Sequence, residues 1–92
     1  MSELEKYLYW LDREFPGLVR SRFGMSLFRC VHFVEYELRG EVYDKLPDGL
    51  KDRIIELVKR EGGKMRRSFG IIEIDIEAVS YTHLTLPTIC SV

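Results

Sequence analysis

The stretch "IIEIDIE", residues 71–77, constrains this chain more than any other. Apolar and acidic residues alternate through it, and a period of two belongs to a β-strand. Ile72, Ile74 and Ile76 face one way, and Glu73, Asp75 and Glu77 face the other. Such a strand buries one face and leaves the other to water. The strand reading extends back through "KMRRSFG", where Gly70 marks its start or a bulge.

The acidic row invites a chemical reading. Glu73, Asp75 and Glu77 follow one another at steps of about 7 Å along one face. A row of this kind holds Mg²⁺ for phosphoryl chemistry when other ligands converge on it. D-x-E spacing is common, however, and no partner motif accompanies it. A solvated sheet face accounts for the row, and no metal or other cofactor is expected.

Two segments read as helices that can cover such a strand. In "SELEKYLYWLDREFPG", Ser2 and Glu5 form a capping box, and Leu4, Tyr7, Leu8, Leu11 and Phe15 make an apolar stripe. Pro16-Gly17 ends it. In "LPDGLKDRIIELVKREGG", Leu50, Ile54, Leu57 and Val58 share a face. Asp48 and Asp52 lie near its N-terminus and Lys59 and Arg60 near its C-terminus, as the helix dipole favours. Glu56 and Arg60 are placed to pair, and Gly62-Gly63 closes the helix.

Residues 25–39, within "MSLFRCVHFVEYELRGEV", admit two readings. As a strand, Phe28, Cys30, His32, Val34, Tyr36 and Leu38 share one face. As a helix, Leu27, Val31, Val34 and Leu38 form a stripe, with Ser26 as cap and Gly40 as stop. An unbroken run this long favours the helix. The expected fold is therefore α+β, mostly helical with a strand near residues 64–77, in an incomplete small domain. The alternative is a β-α-β unit, half of a ferredoxin-like layer.

Composition closes off some functions. At 32% charged and 46% hydrophobic residues, the chain reads as globular rather than disordered. A net charge of -1 gives no global drive toward nucleic acid or acidic membranes. No apolar run approaches the ~20 residues that span a bilayer, and "MSELEKYLYW" lacks the order of a signal peptide. The chain is expected to be cytoplasmic, with no membrane partner. Cys30 and His32 make a lone C-x-H, too few ligands for a structural zinc site.

The last residues, "VSYTHLTLPTICSV" (79–92), differ in kind. The 14 basic and 15 acidic residues all precede Ala78. The segment resembles the translation of a transposase-based sequencing-library adapter. One frame of that DNA gives Val-Ser-Tyr-Thr-His-Leu-Thr-Leu-Pro-Thr, which matches Val79 to Thr88 at every position. The frame also requires Ala, Ser, Pro or Thr before it, and Ala78 is there. After it the frame requires a codon beginning with A, two variable codons, Val and a stop, and the chain reads Ile89, Cys90, Ser91, Val92. The resemblance implies a native segment 1–77, a single domain or the N-terminal piece of a larger protein, followed by a non-native tail 78–92. It also removes His83 and Cys90 from any site.

Residues 1–77 carry no family motif and no visible internal repeat. Three functional expectations follow. A protein-interaction or assembly module would use Tyr9, Trp10, Phe33 and Tyr36 as an exposed contact patch, its partner being the missing C-terminal part or another chain. A nucleic-acid-binding module, winged-helix-like with three helices before the strand, would bring Arg20, Arg22, Lys64, Arg66 and Arg67 to one surface, with the helix at residues 48–61 as reader. A fragment of a metal-dependent enzyme would gather Glu73 and Asp75 with further acids such as Glu35 or Glu37. The interaction reading ranks first, and no catalytic residue is assigned.

Overall fold

The computed structural model describes residues 2–27 and 31–79. The chain runs α1 (Glu3–Glu14), β1 (Val19–Leu27), β2 (Val31–Arg39), α2 (Gly40–Tyr43), α3 (Asp48–Arg60), β3 (Lys64–Ser68) and β4 (Ile71–Val79). The four strands form one antiparallel sheet in the order β1-β2-β4-β3. The fold is α+β, but it is not mostly helical.

The helical expectation for residues 25–39 is overturned. Residues 25–27 and 31–39 lie in the β1–β2 antiparallel pair, with Met25 opposite Phe33 and Gly24 opposite Val34. The run is long because it contains two strands, not because it is one helix. Its Val, Phe and Tyr content fits a pleated surface and outweighs the length argument. Gly40 begins α2 instead of ending a helix. It is buried, its N–H donates to the Gly70 carbonyl at 2.8 Å, and a Cβ there would lie 2.6 Å from that oxygen.

The two expected helices form as read. The Ser2 hydroxyl accepts from the Glu5 N–H at 3.1 Å, capping α1. The Glu5 side chain does not complete the capping box. It holds Arg22 at 3.2 Å and accepts the Tyr9 hydroxyl at 3.1 Å. Arg60 reaches Glu56 at 3.0 Å on α3, and Gly62, at φ 72°, turns the chain out of the helix.

Helices and sheet meet through one apolar layer. Leu4, Leu8 and Leu11 of α1 and Ile54, Leu57 and Val58 of α3 are buried with Tyr36 and Leu38 of β2 and Ile72, Ile74 and Ile76 of β4. Register explains the match, since Tyr36 faces Ile74 and Leu38 faces Ile72. Each fully buried aliphatic side chain stabilises the fold by roughly 1.5–3 kcal/mol. The opposite face of the sheet is covered by no described element.

β2 and β3 are both antiparallel to β4, so they run in the same direction with β4 between them. The chain from β2 through α3 to β3 is thus a split β-α-β arrangement. The topology also divides into two α-β-β units, α1-β1-β2 and α3-β3-β4, joined through the inner strands. Leu4, Leu8, Leu11 and Arg20 of the first recur at the same spacing as Leu50, Ile54, Leu57 and Arg66 of the second. Identity alone does not reveal this repeat, because only the spacing of apolar and basic positions is kept.

Candidate functional site

The uncovered sheet face is the most distinctive surface of the molecule. Strand alternation and register place Glu35 and Glu37 of β2 directly opposite Asp75 and Glu73 of β4. Like charges directly opposed across antiparallel strands are unfavourable. Carboxylate oxygens of Glu35, Glu37 and Glu73, all half-buried, lie within 4.8 Å of one another.

Basic residues border this acidic centre. Arg66 of β3 donates to one Glu73 oxygen from Nε at 3.0 Å and from a terminal nitrogen at 2.7 Å. Arg20 of β1 reaches Glu37 at 2.6 Å, and the Ser21 hydroxyl donates to the same oxygen at 3.1 Å. The register shift between Val19 and Ser21 makes Arg20 the extra residue of a β-bulge. Bulges re-aim side chains in this way.

Glu35 makes no ion pair among the described residues. Its carboxyl is held above the usual carboxylate range, first by desolvation and then by Asp75, Glu73 and Glu37, with Arg66 pulling the other way. A divalent cation would find three oxygen donors in Glu35, Glu37 and Glu73. Two of the three are already neutralised by arginine.

One end of the face is apolar. Phe23 faces Glu35 across β1–β2, and Met25 faces Phe33. Phe23 is 53% exposed and Met25 45%, so an apolar patch lies beside the acidic centre.

The interaction set of Tyr9, Trp10, Phe33 and Tyr36 does not form one surface. Tyr36 is 2% exposed and belongs to the core, because its strand parity sends it under the helices. Phe33 lies on the opposite, uncovered face. Tyr9 and Trp10 are exposed on α1, where the Trp10 ring stacks on Tyr7 with centroids 5.8 Å apart.

The basic set is dispersed as well. Arg20 and Arg22 belong to β1, and Lys64, Arg66 and Arg67 to β3, at opposite edges of the sheet. Three inter-strand steps put those edges about 14 Å apart, with the acidic centre between. Alternation splits each cluster again. Arg22 turns to Glu5 beneath α1, and Arg67 reaches Asp44 at 2.6 Å on the helix side. The five side chains therefore do not form one basic surface, and α3 packs its apolar face on the sheet.

Sequence reasoning did not single out Phe23, Met25 or Phe69. Phe69 is fully exposed at the tip of the β3–β4 hairpin, with φ at 50° beside Gly70 at 79°. Two positive φ values make the two-residue loop a type I′ turn. The signal available was "FG" between two alternating runs.

Cys30, His83 and Cys90 lie outside the described residues, as does the segment 80–92 of the adapter-like tail. Comparison with protein-family models, curated proteins and solved structures finds no match.

Proposed function

We propose that this chain is a protein-interaction module whose uncovered sheet face receives a basic segment of a partner protein that also carries apolar anchors. The observation that carries the reading is the opposition of Glu35 to Asp75 and Glu37 to Glu73 at the centre of that face. In the free chain this opposition costs stability. A cationic partner converts it into attraction, while Phe23, Met25 and Phe33 supply the apolar contact that association needs. The partner's chemistry is thus lysine or arginine over the centre and apolar side chains over one end.

The fold supports a binding scaffold without specifying a reaction. We read the sheet as a ferredoxin-like layer whose last helix and strand have moved to the N-terminus. Residues 79–92 play no part in the reading, in keeping with their proposed adapter origin. Sequencing the source gene across codon 79 tests that origin, and contiguous genomic DNA encoding the segment would refute it.

The functional test uses a fluorescein-labelled peptide of leucine and lysine, followed by anisotropy. Binding should weaken with added salt. It should also weaken in Glu35→Gln/Asp75→Asn and in Phe23→Ser, but not in Glu56→Gln, which changes an exposed carboxylate on α3. Equal binding by all variants would defeat the proposal. So would Mg²⁺ or Ca²⁺ raising the melting temperature of the wild type and not of Glu35→Gln, because the centre would then be a cation site.

A further inference from the structure

Among the described residues β3 forms an edge of the sheet and presents an unpaired row of backbone groups. The two-residue loop makes Ser68 and Ile71 a hydrogen-bonded pair, since they face each other across the turn. Hydrogen-bonded pairs alternate along an antiparallel ladder. Arg66 and Lys64 therefore bond to β4, while Met65 and Arg67 turn their N–H and C=O groups outward. Among the described residues no turn, loop or helix bonds this outer row.

Beside the edge lies an open groove of about 550 Å³ between α3 and β3, lined by Ile55, Val58, Lys59, Gly63, Lys64 and Met65. Gly63 lets the strand approach the helix, for a Cβ there would lie 2.8 Å from Ile76 and 3.1 Å from Val58. The groove is apolar at its base, and Ile55 is 36% exposed at its rim. Lys59 and Lys64 flank it and make no ion pair among the described residues.

The geometry points to β3 as an acceptor for an extended acidic-apolar peptide from a partner protein, added as a fifth strand. Strand addition draws affinity from main-chain bonds and specificity from pockets for alternate side chains. A residue set opposite Met65 would send its side chain to the groove and must be apolar. Its neighbours would face Lys64 and Arg66 on the other side and should be acidic. β3 already pairs with a strand of this pattern on its inner side, where Asp75, Ile74 and Glu73 oppose Lys64, Met65 and Arg66.

A second copy of the chain fits poorly. Both sheet edges carry cationic residues, Arg20 and Arg22 on β1 and Lys64, Arg66 and Arg67 on β3, so edge-to-edge pairing of copies opposes like charges. The same charges that oppose self-pairing favour an acidic strand. This inference does not rest on the acidic centre, and the acidic peptide should still bind in Glu35→Gln.

The experiment titrates the ¹⁵N-labelled chain with a fluorescein-labelled peptide of sequence IIEIDIE, and with IIKIKIK as control. The acidic peptide should bind and slow hydrogen exchange at the Met65 and Arg67 amides, and the control should do neither. Lys64→Glu and Ile55→Asp should each weaken binding roughly fivefold with unchanged far-ultraviolet circular dichroism. Equal binding of the two peptides, or protection that falls on β1 instead of β3, would overturn the proposal. Protection of Met65 and Arg67 in the chain alone, rising with its own concentration, would also overturn it in favour of self-pairing.

Discussion

Replacing Glu35 by Gln should make the chain more stable, although it removes a charge from the candidate site. The substitution keeps the side chain's size and removes one member of the opposed carboxylates. Two unit charges at the 4.8 Å that bounds the cluster repel by about 0.9 kcal/mol in a medium as polar as water. Screening at physiological salt, with a Debye length of about 8 Å, reduces this to about 0.5 kcal/mol per neighbour. Asp75, Glu73 and Glu37 all act on Glu35, and Arg66 offsets one of them. The net gain is about 1 kcal/mol, which in a domain of this size raises the melting temperature by roughly 4–8 °C.

The effect carries a pH signature. Glu35 is held above the usual carboxylate range, so the folded chain takes up this proton at a higher pH than the unfolded chain does. Its contribution is therefore most favourable below the unfolded carboxylate's pKa, and it is lost as pH rises through the raised folded value. Gln at this position has no such dependence. Thermal melts by circular dichroism, from about pH 3 to pH 8, should show wild type and variant converging in acid and separating toward neutrality. Added salt should narrow the gap. A variant less stable than wild type at neutral pH, or a gap that persists unchanged in acid, would refute the reasoning.

Two further substitutions probe how the sheet is held. Gly40→Ala forces a Cβ to 2.6 Å from the Gly70 carbonyl, so urea melts should show a loss of roughly 1–3 kcal/mol. Phe69→Asn places a residue that tolerates positive φ where Phe69 sits at 50°. Thermal melts should show a gain of about 0.5–1 kcal/mol from the type I′ turn.

The parts legible in the sequence were those with strong local order. α1 and α3 carried uninterrupted apolar stripes with capping or closing residues, and β4 carried strict alternation. The β1–β2 hairpin was hidden because no Gly, Pro or Asn marks its reversal between Leu27 and Val31. Leu27, Val31, Val34 and Leu38 also happen to recur at helical spacing. Missing the hairpin misplaced the candidate site. Glu35 and Glu37 could be named as possible companions of Glu73, but only the β2–β4 register brings them face to face. Arg20 joins that face through a bulge, which depends on two strands and leaves no mark in one. Tyr36 looked like a contact residue because aromatic rings suit both cores and surfaces, and strand parity decides between them.

The repeat of two α-β-β units gives the uncovered face a sense of direction. Arg20–Glu37 in one unit and Arg66–Glu73 in the other are the same contact made twice, and the two glutamates meet between the inner strands. A half-turn about that point exchanges the two ion pairs but carries Glu35 onto the place of Ile71 and Asp75 onto that of Arg39. The hairpins break the equivalence, since β1 and β2 run nine residues each while β3 has five. The longer hairpin sets Phe23 level with the Glu35–Asp75 row and carries Met25 and Phe33 beyond it. The second acidic row and the apolar patch lie on the same side of the paired glutamates, so both select the same orientation of a ligand.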